Sequence, residues 1–130
     1  MQIKADTRTH YERIGGEPVI RRLVKAFYQY MDTQTETAPI RALHEDMQRA
    51  EDKLFMFLSG WMGGPELYAE KYGHPRLRMR HMPFPIDEAA RDQWMQCMQH
   101  ALDETVEDQA LREELHAAFY KIADFMRNQE

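Results

Sequence analysis

Residues 15–31 read GGEPVIRRLVKAFYQYM, and this stretch decides the fold class of the chain. After the glycine pair, apolar side chains recur at Val19, Ile20, Leu23, Val24, Phe27 and Met31. Their spacing of three and four residues is that of one face of an α-helix. Pro18 lies in the first turn of the predicted helix, where its missing backbone N–H costs nothing. The stretch therefore predicts one long amphipathic helix.

Helical periodicity continues along the rest of the chain. It predicts one or two turns at 37–43 and long helices at 48–62, 87–105 and 108–127. The glycines and proline at 63–65 are expected to end the second of the four long helices. No segment alternates convincingly with the period of two that is typical of a strand. The sequence therefore predicts an all-α fold.

Residues 65–86 form the least regular part of the sequence. The Gly-His-Pro run at 73–75 predicts a turn, and Pro83 and Pro85 exclude a continuing helix. A short helix is expected between them, at about 76–81. An irregular stretch of about twenty residues is uncommon in a compact domain and is usually functional when it occurs. The chemistry of the protein is therefore to be sought in this stretch.

Composition and charge limit the class of protein. With 43% hydrophobic and 30% charged residues, the chain is typical of a soluble globular domain. We predict one domain over residues 1–130, with 1–9 as a loosely ordered N-terminal extension. A net charge of −5 argues against general nucleic-acid binding. The longest uncharged run, 54–65, is shorter than the roughly 20 residues that span a bilayer. With a polar N-terminus and the single Cys97, these features predict a cytoplasmic protein without a membrane span.

His81 lies at the end of the most basic part of the sequence, because four cations fall within residues 71–80. On a helix, Leu77 and His81 share one face, and Arg76 and Arg80 share another. An imidazole beside apolar residues and cations suits a flat apolar cofactor with anionic edges. Haem fits this description, since its iron takes an imidazole and its propionates take cations. The alternative interpretation is a surface histidine in a solvated basic patch.

Several motifs occur in the order that one protein family shows. They are Gly15-Gly16, Phe27-Tyr28, the run at 54–65, YGHPRLRMRHMPF at 72–84, Arg91-Asp92, Trp94 and Cys97-Met98. In this the chain resembles the group II truncated haemoglobins over about residues 10–128. The resemblance implies a truncated globin, a two-over-two helical sandwich around haem b. It also implies that the irregular stretch carries the short helix with the proximal ligand of the haem iron.

The resemblance implies roles for individual residues on the cofactor. His81 matches the proximal iron ligand, and it is the metal-binding residue of the prediction. Arg80 and Lys53 would meet the propionates, where Tyr68 would add a hydroxyl. The macrocycle would pack against Phe27, Leu54, Leu58 and Phe84.

On the opposite, distal side the resemblance implies Tyr28, Trp94 and His44. Many relatives have tyrosine or phenylalanine at the position of His44. The usual distal histidine of globins is replaced by Ala50, which can neither ligate iron nor form a side-chain hydrogen bond. From the residues alone, Tyr28 and Trp94 could equally be core side chains. Each nevertheless carries one hydrogen-bond donor that needs a partner when it is buried.

Three functions remain open at this point. The resemblance implies a protein that binds dioxygen, carbon monoxide and nitric oxide at a pentacoordinate ferrous iron, for oxygen binding or oxygen transport. The second possibility is an enzyme that uses the same site to oxidise nitric oxide or to turn over peroxide. Because the sequence contains no recognisable FAD- or NAD-binding segment, such turnover would need an external reductase. The third is a cofactor-free helical interaction module, which the absence of a Soret absorption band would reveal.

Overall fold

The computed structural model of the chain describes residues 7–129. Within this range the chain forms eight α-helices, which are α1 (His10–Ile14), α2 (Glu17–Thr33), α3 (Ala38–Arg41), α4 (Met47–Trp61), α5 (Leu67–Tyr72), α6 (Leu77–His81), α7 (Glu88–Thr105) and α8 (Gln109–Phe125). A short 3-10 helix, Thr35–Thr37, leads into α3. Residues 7–129 contain no strand, so the predicted all-α fold is confirmed.

The predicted long helices are present as α2, α4, α7 and α8, and local capping explains where three of them begin. The Asp46 carboxylate accepts the Arg49 backbone N–H at 3.0 Å before α4. Asp87, the predicted cap of α7, accepts the backbone N–H of Ala90 at 2.8 Å. Asp108 caps α8 in the same way. Each carboxylate satisfies a backbone donor that has no partner within its helix.

Two short helices were not predicted. α5 lies inside the stretch 65–86 that the sequence analysis expects to be irregular, and it has no side-chain cap at its start. It packs against α4 and buries Tyr68, so tertiary contact rather than local sequence stabilises it. α1 begins with a capping box between Thr9 and Glu12. Both helices are too short for a periodic apolar pattern to show.

The backbone conformation between α1 and α2 explains the glycine pair in the sequence. Gly15 has φ 109° and Gly16 has φ 74°, values at which a side chain is strained. Gly64 has a steric reason, because a Cβ atom there would collide with the ring of Tyr11. The Tyr11 backbone N–H also donates to the carbonyl of Met62 at 2.8 Å. These contacts hold α1 against the end of α4.

The long helices pack in two pairs around one core. α2 packs with α4, α7 packs with α8, and the contact between α2 and α7 joins the pairs. This is the two-over-two arrangement that the resemblance implies. Within residues 7–129, no helix has the length and apolar character needed to cross a membrane. Residues 1–6, which make up most of the predicted N-terminal extension, lie outside the described residues, as does Glu130.

Candidate functional site

A cavity of about 250 Å³ lies where α6 faces the long helices. Of the residues predicted from the sequence, those on its wall are Tyr28, His44, Leu54, His81, Phe84 and Trp94. These residues are far apart in the sequence, and the fold brings them to one space. Most of the remaining wall is apolar, with Ile40, Leu43, Phe57, Leu77, Ile86 and Ile122 among its side chains.

His81 is the last residue of α6, and its ring is fixed from behind by its own helix. The Nδ1 atom lies 2.6 Å from the carbonyl oxygen of Leu77. Because a carbonyl only accepts, Nδ1 must carry a proton, and in the neutral ring Nε2 then carries the lone pair. A second nitrogen fixed in this way is the usual support of a metal-binding histidine. The predicted pairing of Leu77 and His81 on one helix face is therefore confirmed.

The ring of His44, three residues after α3, is fixed by the same kind of hydrogen bond to a backbone carbonyl. Its Nδ1 lies 2.9 Å from the carbonyl oxygen of Ile40. Burial lowers the pKa of His44 below its ordinary value. The positive charge of Arg41 and the nearby ring of His81 lower it further, although the hydrogen bond to Ile40 opposes this. The ring is therefore held in its neutral form, with Nε2 as the unprotonated nitrogen.

An aromatic cluster fixes the rings on the α2 and α7 side of the cavity. Phe27 is fully buried and contacts Tyr28 and Trp94 edge-on, with ring centroids 4.9 and 5.1 Å apart. The ring of Tyr28 also lies edge-on to His44, at 5.7 Å. Edge-to-face contacts of this kind hold aromatic rings in defined orientations. Tyr28, Trp94 and His44 therefore form one connected wall.

The two hydrogen-bond donors of this wall lack protein acceptors. Within residues 7–129, neither the hydroxyl of Tyr28 nor the indole N–H of Trp94 donates to another group, although both residues line the cavity. Burial raises the pKa of Tyr28, so the hydroxyl keeps its proton. A buried donor without a partner costs about 1–3 kcal/mol. The wall is therefore suited to a ligand that accepts hydrogen bonds.

The predicted propionate-binding residues gather at a separate group of tyrosines. The Arg80 guanidinium lies 5.6 Å from the ring centre of Tyr68, and Lys53 Nζ lies 5.2 Å from that of Tyr72. The two tyrosine rings are 4.9 Å apart. Phe57, on the cavity wall, contacts Tyr68 edge-on. In the described part of the chain, neither cation forms an ion pair with a carboxylate, so both charges are available to an anionic group.

Some predicted contact residues lie elsewhere. Phe27 and Leu58 are buried in the core and do not line the cavity, so their contact with a bound group stays a prediction. Ala50 packs against the core. Cys97 is fully buried, and burial raises the pKa of its thiol to about 12, which is typical of an unreactive thiol.

Sequence reasoning missed several cavity residues from the ends of helices and from the loop after α6. They include Ile40, Leu43, Ile86, Arg91, Ile122 and Met126. Ile40 and Ile122 lie on helices that also supply the core, and Leu43, Ile86 and Met126 lie outside the helices, so no periodic pattern distinguishes these residues. Arg91 is mostly buried, and its guanidinium reaches Asp124 on α8 at 2.7 Å. Arg91 therefore lines the cavity where α7 meets α8, and its ion pair with Asp124 joins these two helices.

Comparison with known proteins agrees with this fold and site. The family model of the bacterial-like globins matches residues 9–128. The group 2 truncated hemoglobin YjbI of Bacillus subtilis is 38% identical over 119 residues, which cover 92% of this chain and 88% of that protein.

Solved structures are similar over nearly the full length of the chain. The group II 2-on-2 hemoglobin of Agrobacterium tumefaciens has a TM-score of 0.92 and 45% identity, covering 98% of this chain and 100% of that one. The cold-adapted truncated hemoglobin of Pseudoalteromonas haloplanktis also has a TM-score of 0.92, with 44% identity, and covers 95% and 100% of the two chains.

Proposed function

The chain belongs to the bacterial-like globins, as a group II truncated haemoglobin, and from this membership we propose that it holds haem b in the cavity and binds dioxygen there. The membership itself implies a haem cofactor. One observation supports the proposal most directly. A histidine with a free Nε2 and two donors without acceptors line the same apolar cavity.

The residues present fit haem on three counts. The cavity wall is mainly apolar, as a macrocycle requires. The hydrogen bond of His81 Nδ1 to Leu77 leaves the neutral Nε2 as an iron ligand. Arg80 and Lys53 have no carboxylate partner within residues 7–129 and lie around Tyr68 and Tyr72, where two anionic groups could be bound. When bound, haem supplies an iron that takes one protein ligand and one diatomic ligand.

On the proximal side, we assign His81 as the protein ligand of a pentacoordinate ferrous iron. Arg80 and Lys53 would neutralise the propionates, and the Tyr68 hydroxyl would donate to one of them. Leu54 and Phe84 line the cavity and would contact the macrocycle directly. Phe27 and Leu58 would support that contact from the core.

On the distal side, we assign the Tyr28 hydroxyl and the Trp94 indole N–H as donors to dioxygen. A charge-assisted hydrogen bond of this kind contributes about 1.5–3 kcal/mol. His44 orients Tyr28 through the contact between their rings and is a third candidate donor in its other tautomer. Carbon monoxide and nitric oxide would bind in the same space. They would accept weaker hydrogen bonds from these donors, because they carry less negative charge.

Absorption spectra of the purified protein test this proposal. We expect a Soret band after haem addition, a ferrous spectrum typical of one imidazole ligand, and distinct spectra with dioxygen and carbon monoxide. A protein that takes up no haem in a titration would overturn the proposal and favour the interaction module.

The same residues could support an enzyme, since donors that hold dioxygen also favour its reaction with nitric oxide. Stopped-flow mixing of the dioxygen-equilibrated protein with nitric oxide separates the two functions. A single round of consumption indicates a binding protein, and repeated rounds when a reductant is supplied indicate an enzyme. Sustained turnover, of nitric oxide or of peroxide, would need an external reductase, which fits the cytoplasmic location expected from the sequence.

A further inference from the structure

The segment after α8 folds back on the loop that follows His81. The backbone N–H groups of Asn128 and Gln129 both donate to the carbonyl of Ile86, at 2.9 and 3.1 Å. The side chain of Asn128 adds three more bonds to this loop. Its Oδ1 accepts the Ile86 N–H at 2.9 Å, and its Nδ2 donates to the carbonyls of Phe84 at 2.9 Å and His81 at 3.4 Å.

These hydrogen bonds are important for the position of α6, because the helix has little apolar packing. None of its residues is buried, and Met79 in the helix and Met82 directly after it are more than half exposed. In place of apolar packing, α6 is attached to the end of α8 by polar contacts. The guanidinium of Arg78 donates to the carbonyls of Phe125 and Arg127, at 3.2 and 3.4 Å. The Asn128 side chain forms the second attachment, directly at His81 and the residues after it.

Hydrogen bonds fix both the ring and the backbone of His81. Its ring is bonded through Nδ1 to Leu77 on one side, and its carbonyl accepts from Asn128 on the other. The Phe84 backbone N–H also donates to the His81 carbonyl, at 3.0 Å. One side-chain amide therefore connects the backbone at 81, 84 and 86. Ile86 and Met126 line the same cavity as His81, so this connection closes one end of that cavity.

We propose that Asn128 is a positioning residue for His81. By joining the loop 81–86 to the end of α8, its carboxamide fixes the backbone from which the imidazole projects. The assignment of His81 as an iron ligand rests on the proposed function, whereas the contact between Asn128 and the loop does not. The experiment therefore measures both the apoprotein and the haem-loaded protein.

Two variants of Asn128 and one control test which side-chain atoms of Asn128 position His81. Asn128→Ala removes all three side-chain bonds and keeps the backbone pairing with Ile86. Asn128→Asp keeps the acceptor for the Ile86 N–H but replaces the donor to Phe84 and His81. Gln129→Ala is the matched control, because Gln129 is an exposed neighbouring amide whose side chain forms no hydrogen bond within residues 7–129.

In the apoprotein, the measurements are hydrogen exchange at the Ile86 amide and the linewidth of the His81 ring protons in NMR spectra. In Asn128→Ala we expect exchange to be about two- to tenfold faster, the effect of losing one typical hydrogen bond. We also expect the ring signals of His81 to broaden. Asn128→Asp should keep Ile86 protected and still broaden the signals of His81. Gln129→Ala should match the wild type in both.

In the haem-loaded ferrous protein, the measurement is the iron–imidazole stretching band in resonance Raman spectra. We expect this band to broaden and move to lower frequency in Asn128→Ala and in Asn128→Asp, and to stay unchanged in Gln129→Ala. An unchanged band in Asn128→Ala, or an equal change in Gln129→Ala, would overturn the positioning role. A wild type that binds no haem would overturn the proposed function, and the apoprotein data would still decide whether Asn128 orders His81.

Discussion

His44 and His81 line one cavity, and each ring is held through Nδ1 by the carbonyl oxygen four residues earlier in the chain. The distances, 2.9 Å to Ile40 and 2.6 Å to Leu77, are those of good hydrogen bonds. In the neutral form of each ring, Nε2 is therefore the unprotonated nitrogen. The rings differ in their neighbours, because His44 contacts the Tyr28 ring, whereas His81 ends α6 directly after Arg80.

Replacing His81 tests the iron ligand. We expect His81→Ala to lose the ferrous spectrum typical of an imidazole ligand and to regain it when free imidazole is added, since the apolar cavity remains. His100→Ala is the matched control, because His100 is an exposed residue of α7 that does not line the cavity. Retention of the wild-type spectrum by His81→Ala without added imidazole would show that another residue binds the iron.

Replacing Arg80 tests the propionate contact. We expect Arg80→Ala to bind haem but to transfer it to an acceptor apoprotein about three- to thirtyfold faster, because an exposed charge-assisted bond is weakened by solvent. Stopped-flow haem transfer measures this rate. Arg22→Ala removes an exposed arginine from α2, away from the cavity, and should leave the rate unchanged.

We expect the proposed distal donors to set the rate of dioxygen release. Loss of a donor worth about 1.5–3 kcal/mol corresponds to a roughly tenfold to hundredfold change. We therefore expect Trp94→Phe to release dioxygen faster by about that factor, as measured by stopped flow. Tyr28→Phe should act in the same direction, and because Trp94 then remains as a donor, its effect should be smaller than that of the double variant.

Carbon monoxide provides the internal control for that experiment, since it accepts hydrogen bonds more weakly. Its release should change much less than that of dioxygen. Trp61→Phe is the matched variant, because Trp61 stacks on Phe119 and does not line the cavity. If both gases responded equally to Trp94→Phe, the indole would be a steric gate rather than a donor.

The lowered pKa of His44 predicts a pH dependence of stability. The unfolded chain binds a proton at His44 near its ordinary pKa of about 6.5, whereas the folded chain binds it only at lower pH. This contribution to stability is therefore present above about pH 6.5 and is lost as the pH falls through the pKa of the folded state. The groups that face the ring and act on its pKa are Arg41 and the ring of His81, and both lower that pKa.

The variant His44→Phe removes this titration. We expect the free energy of unfolding of the wild-type apoprotein to fall more steeply between pH 7 and pH 5 than that of His44→Phe, in urea titrations at each pH. The other histidines are present in both proteins, so the comparison isolates the contribution of His44. Parallel curves would show that His44 is protonated equally well in the folded and unfolded states.

Features with a local signal could be predicted from the sequence. The apolar periodicity of α2 and the cap at Asp87 follow from residues close together in the chain, and so does the pairing of Leu77 with His81. The sequence contains no comparable signal for which apolar residues line the cavity and which are buried in the core. Phe57 and Leu58 are adjacent and equally apolar, yet Phe57 lines the cavity and Leu58 is buried in the core.

Contacts between distant residues could not be predicted in this way. Asn128 and His81 are 47 residues apart, and nothing in either neighbourhood indicates that they meet. The helix α5 depends in the same way on burial of Tyr68 against its surroundings. In both cases the stabilising partner is supplied by the folded chain rather than by the local sequence.

The absence of buried residues in α6 has a consequence for cofactor exchange. A helix held by peripheral hydrogen bonds rather than by apolar packing opens at a lower free energy than the core, as a separate cooperative unit. We therefore expect the cavity to be exposed by fraying of 77–86 from the end of α8, while α2, α4 and α7 stay folded. A large flat ligand could then enter and leave without global unfolding of the chain.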